Sequence, residues 1–215
     1  MHFFLLLFIP SFTFCLLAAD SKYRFIKLSA PVFIGLFTGI ISTVFIEFFI
    51  YPESASGSSF FSIIASVLAH TAVPSILLSV LFILFSKDDA EYKTYAILPL
   101  ISMFFSIYVP YVTFTQGESK SFFMSFINPV LFMETIILYS CAIKYGFQNN
   151  AGKTKALKAI VLAISSLFIQ PVFYSLWYIK FLPALSYLAA FILIPVSIFV
   201  YKFFSIQQNS LDNTE

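Results

Sequence analysis

Five polar side chains stand inside apolar stretches of the chain: Glu47, His70, Asn128, Glu134 and Gln170. Ionisable and amide groups are costly to bury in such surroundings, so they mark either a function or a buried partner. An ionised glutamate at a bilayer centre costs about 2.5–3.5 kcal/mol even on the lenient insertion scale. Glu134 must therefore face other protein or carry a proton. A carboxyl and an imidazole that face one another can pass a proton between them. A Glu134–His70 pair would suit proton-coupled transport or acid–base chemistry. The competing account is a structural hydrogen bond between helices, worth about 0.6 kcal/mol on average. Glu47 has a further alternative, because a side chain near a helix end can reach the membrane interface.

The elements that must hold these groups follow from composition. Hydrophobic residues make up 60% of the 215 and charged residues only 10%. A soluble chain carries roughly 25% charged residues, so this one has too few charges to cover a surface with water-compatible groups. Lipid is the solvent that suits it. A membrane span takes about 20 apolar residues, and seven stretches meet that or nearly do: 3–19, 30–51, 60–86, 94–114, 121–143, 157–178 and 182–204. Polar loop chemistry separates them, as in PESASGSS at 52–59, SKDDAEYK at 86–93 and TQGESKS at 115–121. The expected fold is all-α, a polytopic bundle of seven spans over residues 1–206 with a polar cytoplasmic tail at 207–215.

Charge sets the orientation. Cytoplasmic loops are enriched in Lys and Arg. With the N-terminus outside and the C-terminus inside, ten of the twelve Lys and Arg fall on the cytoplasmic side: Lys22, Arg24, Lys27, Lys87, Lys93, Lys144, Lys153, Lys155, Lys158 and Lys202. Only Lys120 and Lys180 fall outside. A cleaved signal peptide at 3–19 would invert that split. The segment also lacks a basic residue before its apolar core, and Leu17 is bulky for the −3 position of a cleavage site at Ala19. It is expected to be a true span.

This topology puts His70, Asn128, Glu134 and Gln170 at mid-depth or in the outer half, where they can line one outward-opening polar site. Prolines at 10, 74, 99, 110, 129, 171 and 195 fall within the spans. Each frees a backbone carbonyl and permits a kink, which a cavity or a neighbouring group can satisfy. Pro10 and Pro129 lie at similar depths in the first and fifth spans, as do Pro74 and Pro195 in the third and seventh. Seven spans with this orientation and two matching three-helix halves resemble the SWEET sugar transporters in architecture. That resemblance implies a substrate site at the midplane between the halves. The Pro-Gln signature of that family is absent, with Gln170-Pro171 in the reverse order. Residues 35–70 are similar in another way to PrsW-type intramembrane proteases, through Gly35-x3-Gly39, Glu47, Tyr51 and a following His70. That likeness implies catalytic or metal-associated roles for Glu47 and His70. The family's Glu-Glu pair is missing, and Pro74 stands where a carboxylate or amide would help hold a metal.

Other signals are ordinary. Gly152-Lys153-Thr154 ends like a phosphate-binding loop, but the glycine five residues earlier is Phe147. Cys15 and Cys141 lie in apolar runs, with no disulfide framework or metal-ligand spacing. No basic patch is interleaved with aromatics, so no nucleic-acid partner is expected. No cofactor is implied, and the absence of an Asn-x-Ser/Thr sequon fits a bacterial inner membrane. The leading expectation is a solute transporter or permease-like protein, more a carrier than an enzyme, with the bilayer and a small solute or proton as partners. A helper or scaffold subunit docking other membrane proteins on its helix faces is the alternative, and a PrsW-like protease the third.

Overall fold

A computed structural model describes residues 25–49, 60–115, 122–146, 153–178 and 196–198. All regular structure among the described residues is helical, with no strand. The helices run in the order α1 (Phe25–Phe49), α2 (Phe60–Phe85), α3 (Ala90–Thr115), α4 (Phe122–Gly146), α5 (Lys153–Leu167) and α6 (Ile169–Tyr178). Four helical stretches are long and apolar enough to cross a membrane: Lys27–Phe45, Phe60–Phe85, Ala90–Tyr111 and Thr154–Phe173. The expected first span, 3–19, and nearly all of the last, 182–204, lie outside the described residues.

Two helices form the centre. The span in α3 is 89% buried, and α4 is buried on nearly every face from Val130 to Lys144. Their contact is aromatic and aliphatic. Phe104, Phe105 and Tyr108 stack and edge against one another, and Phe105 meets Phe132 of α4 with ring centroids 5.1 Å apart. Met133, Ile136 and Ile137 complete this core.

The helices α1, α2 and α5 pack around that centre and keep broad apolar faces outward. Phe33, Phe37 and Ile41 on α1, Leu77, Leu81 and Leu84 on α2, and Leu157, Ile160 and Ile164 on α5 are all exposed. Contiguous apolar surface on three helices exceeds what a water-soluble monomer tolerates. The arrangement is that of a bundle solvated by lipid. Its polar hydroxyls point the other way: Thr71, Ser75 and Ser79 recur every four residues along α2 and are buried. Residues four apart share one helix face.

Close packing of α1 on α3 depends on two glycines. A Cβ at Gly35 would stand 2.2 Å from the Leu100 carbonyl oxygen, and one at Gly39 would stand 2.9 Å from that of Phe104. Small residues four apart let helix backbones approach in this way. Gly146 does the same between α4 and α5, where a Cβ would meet the Ala159 methyl at 2.7 Å.

The helix ends explain where the chain turns. Asp89 precedes α3, and its carbonyl accepts the Lys93 amide at 3.0 Å. Glu91 in the first turn of α3 complements the helix dipole. The Lys93 amine donates to the Ile83 carbonyl at 3.0 Å, satisfying one of the open carbonyls at the end of α2. Both α3 and α4 extend past the apolar runs at 94–114 and 121–143. The first takes in Glu91 and Lys93, and the second takes in Lys144. Between α5 and α6 the helix breaks at Phe168, whose amide donates back only three residues to Ser165 at 3.2 Å. Pro171 lacks the amide that would bond the Leu167 carbonyl, which accounts for the break.

Several contacts gather the described basic residues at one end of the bundle. The Tyr92 hydroxyl donates to the Lys27 carbonyl at 2.6 Å, joining the start of α3 to the start of α1. That carbonyl is the one left without a helical donor by Pro31. Lys144 lies over the Tyr95 ring, 3.7 Å from its centroid, which brings the end of α4 to the same level. Gly146 against Ala159 adds the start of α5, with Lys155 and Lys158.

Candidate functional site

The polar groups inside the bundle fall into two kinds. Most are hydroxyls that donate to their own helix backbone. Ser102 bonds the Leu98 carbonyl at 2.7 Å, Ser106 that of Met103 at 2.7 Å and Thr135 that of Leu131 at 2.8 Å. Thr71, Ser75 and Ser79 follow the same pattern, each donating to the carbonyl four residues back. Such bonds satisfy a buried hydroxyl locally and leave it no demand on the rest of the protein.

Glu134 is of the other kind. It is 1% exposed on the central helix α4, and among the described residues neither carboxyl oxygen has a hydrogen-bond partner. An ionised carboxylate so placed would bear its desolvation cost without compensation. Lys144, ten positions along the same helix, marks the basic end, so Glu134 lies roughly 15 Å inward at 1.5 Å per residue. Half the hydrocarbon thickness of a bilayer is also about 15 Å.

His70 is half-buried on α2 and finds a different partner from the one the sequence led us to expect. Its Nδ1 shares a 2.6 Å hydrogen bond with the Tyr108 hydroxyl on α3, the direction set by the imidazole tautomer. The Glu134 oxygens do not bond it. Tyr108 in turn stacks on Phe104, with centroids 5.1 Å apart and planes 24° apart. The imidazole is thus held at the edge of the aromatic core, with Pro74 one turn further along α2.

Gln170 is buried on α6, directly before the proline that follows the helix break. Helix α6 packs on both α2 and α4, the helices that carry the hydroxyl row and Glu134. A further link crosses that interior, a 3.5 Å bond from the Tyr139 hydroxyl of α4 to the Ser75 carbonyl of α2. Glu47 and Asn128 lie on α1 and α4, but their side chains are outside the described residues. Among the described residues no three of His, Cys, Asp and Glu gather as a metal site would require. Cys141 is a buried free thiol on α4.

Three contributors escape sequence reasoning. Tyr108 is one aromatic among many in α3, and only its contact with His70 singles it out. Lys144 counts as a loop cation on hydropathy alone, yet it is 6% exposed and lies on Tyr95. The row Thr71, Ser75, Ser79 did carry a signal, its spacing of four within an apolar run. Compared with family models, with curated proteins and with solved structures, the chain matches none. The likenesses to sugar transporters and to intramembrane proteases thus rest on the residues quoted for them alone.

Proposed function

We propose that the protein is a multi-pass transporter or permease-like protein of a bacterial inner membrane that couples movement of a small solute to proton binding at Glu134. One observation carries this reading: a carboxyl at mid-depth of the central helix, fully buried, with both oxygens lacking a hydrogen-bond donor among the described residues. A purely structural carboxyl would be expected to have found a donor, since buried polar groups in folded proteins nearly always do. A carboxyl that must alternately hold and release a proton or a solute has reason to be left open. Transporter sites lie near the bilayer midplane, and the ten-residue spacing from Lys144 supports such a depth for Glu134. The buried Gln170 and the half-buried His70 on helices around it supply polar groups for the same interior.

The gathering of basic residues at one end supports a cytoplasmic assignment for that end. With the apolar stretches at 3–19 and 182–204 it supports seven spans, N-terminus outside and C-terminus inside. Vesicles carrying the purified chain and a trapped pH dye test the transport reading. Sugars, amino acids, organic anions and organic cations are offered in turn as gradients. At least one is expected to drive proton movement by the wild type and none by Glu134→Gln. Equal traces for the two proteins with every solute class would sink the reading.

A further inference from the structure

Away from Glu134, a groove of about 410 Å³ opens between α1 and α2 toward the outer, lipid-facing surface. Ile34 and Thr38 form one wall, Leu78, Leu81 and Phe82 the other, and Leu100 of α3 the floor. The walls are apolar, and the Thr38 hydroxyl adds little polarity because it donates to the Ile34 carbonyl of its own helix at 2.7 Å. Ile34 and Leu81 are both more than two-fifths exposed, so the groove is open sideways rather than sealed. From Ala30 to Thr38 along α1 it extends roughly 12 Å at 1.5 Å per residue. One end differs in kind. Ser86, Asp88 and Tyr92 line it at the turn between α2 and α3, where Asp88 accepts a hydrogen bond from the Ser86 hydroxyl. Lys87, beside Asp88, is exposed.

We propose that this groove binds one acyl chain of a phospholipid whose headgroup carries a primary ammonium. The shape fits a single hydrocarbon chain: apolar along its length and open to the side from which lipid arrives. The charge pattern selects the headgroup. An ammonium donates to the Asp88 carboxylate while the neighbouring phosphate meets Lys87. A choline headgroup has no N–H to donate, and a glycerol headgroup brings no cation to Asp88. The polar end of the groove lies where the helices end, at the level of lipid headgroups. The proposal needs only that these helices cross a bilayer, and it stands or falls separately from proton coupling at Glu134.

The test uses the full chain in phosphatidylcholine nanodiscs doped with phospholipids bearing a photoreactive diazirine in mid-chain. Phosphatidylethanolamine is expected to label peptides containing Ile34 and Leu78–Phe82 about ten-fold more than the choline or glycerol analogue, the low end of the worth of one hydrogen bond to a charged group. Asp88→Asn, a change at an exposed turn, is expected to erase that preference. Leu81→Trp, which fills the groove, is expected to remove the labelling. Equal labelling by all three headgroups overturns the headgroup assignment. Label spread evenly onto Leu157–Ile164 of α5 overturns the groove as a site. Photo-leucine at position 81 that cross-links instead to residues 3–19 overturns lipid as the occupant in favour of the chain's own first segment.

Discussion

Replacing Gly35 by alanine is expected to be the most damaging single-methyl change in the described bundle. The added Cβ would lie 2.2 Å from the Leu100 carbonyl oxygen and 3.1 Å from the Met103 Cβ. Ordinary contact begins near 3.4 Å. The obstructing atom belongs to the backbone of a buried helix, so α1 must move outward by about 1 Å. A gap of that size forfeits a quarter to a half of each van der Waals contact it opens. Overpacking of this kind typically costs about 1–3 kcal/mol, and a backbone obstacle puts Gly35 at the upper end. Alanine returns about 1 kcal/mol through its better helix propensity. The net expectation is a loss of about 2 kcal/mol. Gly39 provides the control on the same face. Its Cβ would meet the Phe104 carbonyl at 2.9 Å, a milder overlap that the propensity gain nearly offsets. Unfolding of the two variants in mixed micelles of mild detergent and dodecyl sulfate reads the difference. Gly35→Ala as stable as the wild type, or less harmful than Gly39→Ala, would refute the close packing of α1 on α3.

Other expectations follow from individual bonds. Tyr92→Phe removes the hydroxyl that donates to the Lys27 carbonyl, and is expected to cost about 1 kcal/mol in the same assay. A double-mutant cycle of His70→Ala and Tyr108→Phe is expected to give a coupling of about 0.6 kcal/mol, the average for interhelical bonds in membranes. Zero coupling would mean the two side chains do not bond. A reporter domain fused after Lys158 is expected to read cytoplasmic, and a signal from the opposite side would overturn the proposed orientation.

The helical architecture was legible because lipid imposes one rule on every span: backbone polar groups must be satisfied within the helix. Long apolar runs bounded by PESASGSS or SKDDAEYK left few alternatives to helix. The ends were less legible. Hydropathy stops at the first charged residue, whereas Glu91 and Lys93 sit inside α3, where one complements the dipole and the other closes the end of α2. Lys144 stays within α4 because the face of Tyr95 receives it. The kink at Phe168 was readable only as a general consequence of Pro171, and Pro31, at the edge of the apolar run 30–51, lies well inside α1 because the helix starts at Phe25.

Of the candidate site, the residue types could be read but not the pairings. Burial of Glu134 and Gln170 follows from the rule that polar groups avoid lipid. That His70 would take Tyr108 rather than Glu134 depends on the rotation of α2 and α4 about their axes. Side-chain packing sets that rotation, and an apolar sequence with thirty phenylalanines encodes it weakly. Gly35-x3-Gly39 shows the same limit from the other side. As a sequence motif it suggested an enzyme family, whereas in the structure it lets α1 lie against α3.

The proposed proton coupling requires that Glu134 be a neutral carboxyl that exchanges its proton. Infrared spectroscopy of the protein in lipid, at neutral pH in light and heavy water, measures this directly. A protonated carboxyl carbonyl band is expected in the wild type, shifted in heavy water and missing from Glu134→Gln. A spectrum without that band in the wild type, or a band that Glu134→Gln leaves unchanged, would contradict the assignment.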